Sequence, residues 1–171
     1  MTPSERYVRE APAPAAPTLH ETVRYLFDET QRRAYHSTLG LTDEDLNVDP
    51  GHGAFTIGQI LQHQLFLVQF MTETLKRGST QDVPLGSPHP QEQISLDATI
   101  EQRELLAERF RSVFAEVAPD SLMQKCPEMP PEGWAEWPVL MRILRPLTDL
   151  ATHVGQVNYA RRQLGKPLGR K

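Results

Sequence analysis

A carboxylate and an imidazole stand four residues apart in the stretch 139–164, VLMRILRPLTDLATHVGQVNYARRQL: Asp149 and His153. Residues four apart on an α-helix differ by ~40° in direction and ~6 Å in height, so these two side chains can converge on one point. Such a pair can offer two ligands to a metal ion, or it can simply share a hydrogen bond. The stretch reads as one long helix because Leu140, Ile143, Leu144, Leu147, Ala151, Val154 and Val157 recur at three- and four-residue steps, the period of a face turned towards a core. Pro138 suits the first turn. Pro146 is interior and predicts a kink or a split one turn before Asp149, which would help to aim that side chain.

A second imidazole, His63, belongs to another helical pattern. Thr56 is a natural N-cap for it, Ile57, Ile60, Leu61, Leu65, Val68, Met71 and Leu75 form its apolar arc, and Gly78 marks its end. Ile60, Phe66, Leu67 and Phe70 share the side of the helix that carries His63, so its ring is expected to point into an apolar interior. A buried imidazole needs a partner, and a backbone carbonyl or a threonine would serve as well as a metal. His52, flanked by Gly51 and Gly53, could reach a site but reads as an exposed loop residue, and His89, between Pro88 and Pro90, reads as solvent-facing. Cys126 is the only cysteine, which rules out an intrachain disulfide. With no histidine beside it in sequence, it reads as a loop cysteine rather than a reactive thiol, although Lys125 could lower its pKa.

Two further helices are needed to hold these groups. Thr18 and Glu21 form a capping-box pattern, and Leu19, Val23, Leu26, Phe27, Ala34 and Leu39 continue it as a first helix over 18–39, stopped by Gly40. The connection 41–54 is rich in Asp, Asn, Gly and Pro, with one short helical turn expected at 42–46. After a proline-bearing loop at 79–93, Ile100, Leu105, Leu106, Phe110, Val113, Phe114 and Val117 give a third helix its apolar stripe. Glu101, Arg103, Glu104, Glu108, Arg109 and Arg111 read as its solvated face. The segment 119–138 is irregular and carries Trp134 and Trp137, which could wall a pocket or anchor the loop on the bundle. Four long amphipathic segments, no period-two strand and Pro/Gly-rich connections predict an all-α, four-helix bundle with long loops. Residues 1–17, rich in Pro and Ala, read as a flexible tail, and 18–171 as one domain.

Composition limits the function classes. A chain of 171 residues with 39% hydrophobic and 23% charged residues suits one soluble globular domain. The formal net charge of -4 and pI of about 5.9 give no general attraction to nucleic acid or to an acidic membrane. The cations Arg161, Arg162, Lys166, Arg170 and Lys171 gather where they complement the negative end of the last helix, which accounts for them without nucleic acid. The N-terminus lacks the apolar core of a signal peptide and no run approaches ~18 uninterrupted apolar residues, so a cytoplasmic location is expected.

The segment 148–163, with His153, Gly155 and Gln156 followed by Tyr159, Arg161 and Arg162, and then Leu164 and Gly165, resembles the last helix of the DinB/YfiT superfamily of four-helix bundles. The words Thr56-Ile57-Gly58-Gln59-Ile60-Leu61-Gln62-His63 are similar to its second-helix start. In order of elements the resemblance covers nearly the whole chain from Thr18 to Gly165. It implies that His63, Asp149 and His153 are ligands of one divalent metal ion, with Zn, Ni, Fe or Mn all compatible. Many members have histidine where this chain has Asp149, and a carboxylate there is similar to the maleylpyruvate isomerase branch, which uses Glu. The residue after the last histidine is often Arg, and here it is Val154. Three protein ligands imply an open site, and a net charge of about +1 suits lowering the pKa of bound water or binding a thiolate. The resemblance thus implies a thiol S-transferase or hydrolase acting on a small molecule, with a low-molecular-weight thiol as a partner, in a homodimer. The same ligand set is compatible with non-haem iron chemistry. The other class is a non-catalytic bundle, metal-stabilised or metal-free, that acts in dimerisation or partner binding.

Overall fold

Capping chemistry written into the sequence starts the helices. In the computed structural model, which describes residues 13–78, 94–126 and 137–168, helix α1 (Leu19–His36) begins at Thr18 with a complete capping box. The Thr18 hydroxyl accepts from the backbone of Glu21, and the Glu21 carboxylate accepts from the backbone of Thr18. The same reciprocal arrangement opens α2 (Asp43–Leu46) through Thr42 and Asp45, and α3 (Ile57–Arg77) through Thr56 and Gln59. Helix α3 ends on Gly78, whose φ of 61° is the left-handed conformation that glycine adopts at no steric cost.

Helix α4 (Leu96–Glu116) is capped differently. Ser95 makes no side-chain cap bond; instead Asp43 accepts from the backbone N–H of Leu96, and Asn47 holds both backbone groups of Ile94. The short α2 therefore fastens the start of α4. A 3₁₀ turn, Pro119–Met123, follows α4 inside the segment expected to be irregular, and its Leu122 is fully buried. Helix α5 (Val139–Gln163) then runs through Pro146 without the split that this residue predicted. Pro146 is buried, and Thr148 folds its hydroxyl back onto the carbonyl of Leu144. Among the described residues there is no strand, only an isolated antiparallel bridge between Lys125 and Pro138. The expected loop at 79–93, with His89, lies outside the described residues, as do Trp134, residues 1–12 of the tail, Arg170 and Lys171.

Helix α3 is central: it packs most extensively against α5 and α4, and α1 closes the bundle against α5. The main core joins Val23 and Phe27 of α1, Leu65, Val68 and Met71 of α3, Phe110 and Phe114 of α4, and Ile143, Leu147 and Leu150 of α5. Phe27 stacks on Phe110 at 3.9 Å, and Cys126 is buried in the same cluster. A second cluster, Leu41, Leu46, Ile57, Ile60, Leu61, Ile94 and Val157, fills the end of the bundle where α2 lies. Gly58 is needed here. A Cβ at that position would stand 2.9 Å from Ile94 Cδ1 and 3.0 Å from the Leu46 carbonyl oxygen, and the latter is backbone and cannot rotate away. Gly58→Ala is expected to destabilise the chain by about 1–3 kcal/mol through overpacking, read as a lower urea midpoint at unchanged m value; an unshifted midpoint would contradict this packing.

The charged residues of α4 do not all face solvent. Arg103 is only 2% exposed and donates to the side-chain oxygens of Gln31 on α1 and Gln64 on α3. Leu105, expected in the apolar stripe, is 71% exposed. The spacing Thr99, Arg103, Leu106, Phe110, Phe114 is the buried face, so the guanidinium occupies a place in the stripe and ties three helices together. The basic end of α5 is likewise engaged. Arg161 is buried and donates to the backbone carbonyls of Lys166 and Ser37, while Lys166 Nζ donates to Asp45 at 2.6 Å.

On α1, Glu29 is nearly buried and accepts from Arg32 and Arg33, each contact 2.7 Å. Hydrogen bonding to Arg32 foremost, aided by Arg33, holds its carboxyl down at about 2 against an ordinary 4.5. A carboxyl depressed on folding contributes stability that is fully present above the unfolded value and is lost as pH falls from about 4.5 through about 2. Because Arg33 is largely exposed, screening reduces the contribution to about 1 kcal/mol. Glu29→Gln should lower the melting temperature at neutral pH and by much less near pH 2. An equal deficit at both pH values would contradict the linkage.

Candidate metal centre

Two of the three side chains singled out by the sequence come together. His63 projects from the second turn of α3 and His153 from the fourth turn of α5, the two most extensively packed helices, and their rings meet edge to face with centroids 4.8 Å apart. Both are half-buried, so His63 stands at the margin of the core rather than inside it. Phe66, three residues on, stacks against the His63 ring at 5.6 Å and fixes its plane. On α5 the His153 Nδ1–H donates to Gln156 Oε1 at 2.7 Å. That oxygen can only accept, so Nδ1 is the donor, which leaves Nε2 as the ring nitrogen that could face a metal ion. An outer contact that sets the tautomer and swing of a histidine in this way is a regular companion of imidazole ligation.

Asp149 sits one turn before His153 but on the exposed flank of α5. Among the described residues, no three His, Cys, Asp or Glu side chains stand close enough as they lie to hold an ion together. The chemistry of the donor set nevertheless fits a divalent first-row metal: two imidazoles side by side, one with its Nδ1 held by an amide oxygen, and a carboxylate one turn before it on the same helix.

A cavity of about 780 Å³ opens beside the imidazoles, between the loop 48–55, the first turn of α3 and the second half of α5. Gln156 belongs to its wall as well as to His153, and Ile60 and Thr152 flank the two imidazole-bearing turns. His52 is exposed, as the sequence suggests, yet it lines this cavity from a left-handed backbone conformation, φ 56°. Phe55 and Tyr159 also face it. Sequence reasoning did not assign these two to a site. Spacing offered a signal for Tyr159, which follows Gln156 by three residues, but none for Phe55, whose loop has no period.

The sequence model of the DinB superfamily matches residues 26–157, most of the chain and both imidazole-bearing helices. The chain belongs to the DinB superfamily. Solved structures agree on the fold. A conserved protein of Enterococcus faecalis superposes with a TM-score of 0.67 at 12% identity, over 88% of this chain and 100% of that one. A DinB-like protein of Bacillus cereus does so with a TM-score of 0.62 at 17% identity, over 88% and 93%. No curated protein matches. Among the described residues, no helix of this DinB-superfamily chain is long and apolar enough to cross a membrane.

Proposed function

We propose that this DinB-superfamily chain is a divalent-metal-dependent enzyme, a thiol S-transferase or hydrolase acting on a small molecule, with His63, Asp149 and His153 as the metal ligands. The observation that carries the reading is the contact between the His63 and His153 rings, with Gln156, which orients the second ring, also standing in the wall of a cavity. A divalent ion bound there supplies Lewis acidity, which brings a thiol or a water towards its deprotonated form near neutral pH. The chain's own residues do the rest. Phe66 and Gln156 hold the two imidazoles in fixed planes, so little ordering remains when they act together. Asp149, being exposed, contributes its charge after a side-chain rotation towards His153. The adjoining cavity binds and orients the substrate. A homodimer that exposes these cavities is part of the proposal.

The test uses untagged protein, since an affinity tag would carry its own imidazoles. Metal released by a chelator should lower the melting temperature and abolish turnover, and a divalent ion added back should restore both. A chain that melts identically before and after chelation, and that holds no metal, is instead a metal-free bundle.

A further inference from the structure

The wall of the cavity beside the imidazoles has a definite chemical character. Phe55 on the loop and Tyr159 on α5 both line it while remaining 50% and 65% exposed, so aromatic surface is held open to an occupant. Between them lie aliphatic groups such as Ile60 and Leu164, and hydrogen-bonding capacity comes from the neutral amides of Gln156 and Gln163. Among the described residues of the wall there is no lysine or arginine, and the only carboxylate is Asp45. That carboxylate is committed. It accepts from Lys166 Nζ at 2.6 Å and from the backbone and side chain of Thr42, and the hydrogen bond from Lys166 foremost keeps it below the usual carboxylate range.

We infer that this cavity is a binding site for an uncharged aromatic small molecule, held against Phe55 and Tyr159 with a neutral polar group on Gln156 or Gln163. An aromatic ring finds π surface in these two side chains, and a neutral hydroxyl or carbonyl finds amide partners. A carboxylate entering the same wall loses its hydration and meets no lysine or arginine of the described wall in exchange, His52 being its one imidazole and Lys166 being held by Asp45. The volume of about 780 Å³ is that of a small-molecule pocket. The inference rests on the proposed function only in placing the reacting end of the ligand, through Gln156, beside His153.

The experiment compares two probes of one shape, biphenyl-4-methanol and biphenyl-4-carboxylate, by saturation-transfer NMR and calorimetric titration against the full chain. EDTA is present throughout, so that a carboxylate cannot gain from a metal ion and the outcome is independent of the metal reading. The alcohol should bind at least tenfold more tightly than the acid. Tyr159→Ala, at an exposed position, should weaken the alcohol by at least tenfold. Gly155→Leu provides a second check: a Cβ there meets nothing within 4 Å, and leucine favours helix over glycine, so the variant should melt no lower than the parent while its side chain narrows the cavity and weakens the alcohol. His153→Ala should retain the alcohol. Binding of neither probe, equal binding of the two, or undiminished binding in both Tyr159→Ala and Gly155→Leu would each overturn the inference. Loss of metal dependence with retained alcohol binding would leave it standing and remove only the proposed reaction.

Discussion

Replacing His63 or His153 by alanine is expected to lower the affinity of the chain for Zn²⁺ and Ni²⁺ by on the order of 100-fold or more, since even supporting contacts around a metal contribute 10–100-fold. Each substitution removes one of two imidazoles already in contact, so the remaining ring has no nitrogen neighbour with which to chelate. Asp149→Ala should cost less, because its carboxylate is exposed and must give up hydration and rotate to join. Gln156→Leu should fall between Asp149→Ala and no effect, since it frees the His153 ring without removing a donor. Competition titration against a chromogenic chelator orders the four variants. An affinity lost in Asp149→Ala but retained in both histidine variants would place the ion elsewhere.

Arg103→Ala is expected to be among the most destabilising single changes available, at about 3–5 kcal/mol. The guanidinium is buried between α1, α3 and α4, and its removal leaves a void and strands the side-chain oxygens of Gln31 and Gln64, both fully buried, without their donor. Arg103→Met should cost distinctly less, because it fills the volume and removes the desolvation penalty of the cation. Equilibrium urea unfolding of both variants measures the difference. A near-neutral Arg103→Ala would mean that the guanidinium does not hold the three helices together.

The helices were legible wherever local chemistry decides them. Thr18 with Glu21, Thr56 with its helix, and Gly78 announce helix ends through side-chain caps and a left-handed residue, and these interactions span a few residues only. The cap of α4 was not legible, because Asp43 and Asn47 reach it from about fifty residues away in sequence. Arg103 was misread because a charge in an apolar stripe looks solvated until its partners, Gln31 and Gln64 on other helices, are known. Pro146 predicted a kink or a split, and α5 runs through it as one helix with the proline buried.

The candidate site divides in the same way. The spacing of Asp149 and His153 and the apolar side of His63 were visible, and the approach of His63 to His153 follows from the packing of α3 on α5. Helical spacing could not say that Asp149 lies on the exposed flank, because a 40° difference in direction is enough to cross from groove to surface. The cavity depends on a loop, 48–55, whose path no periodicity encodes, so Phe55 entered the site only with the structure, and His52, which by sequence could reach a site but reads as an exposed loop residue, both is exposed and lines the cavity.

Plasma mass spectrometry of the metal carried by untagged protein, for the parent chain and for His63→Ala, Asp149→Ala and His153→Ala, reports whether these three side chains hold an ion. About one divalent ion per chain is expected in the parent, as one open three-ligand site requires, and a marked loss in each variant, deepest for the histidines. The same metal content in the parent and all three variants would contradict that assignment.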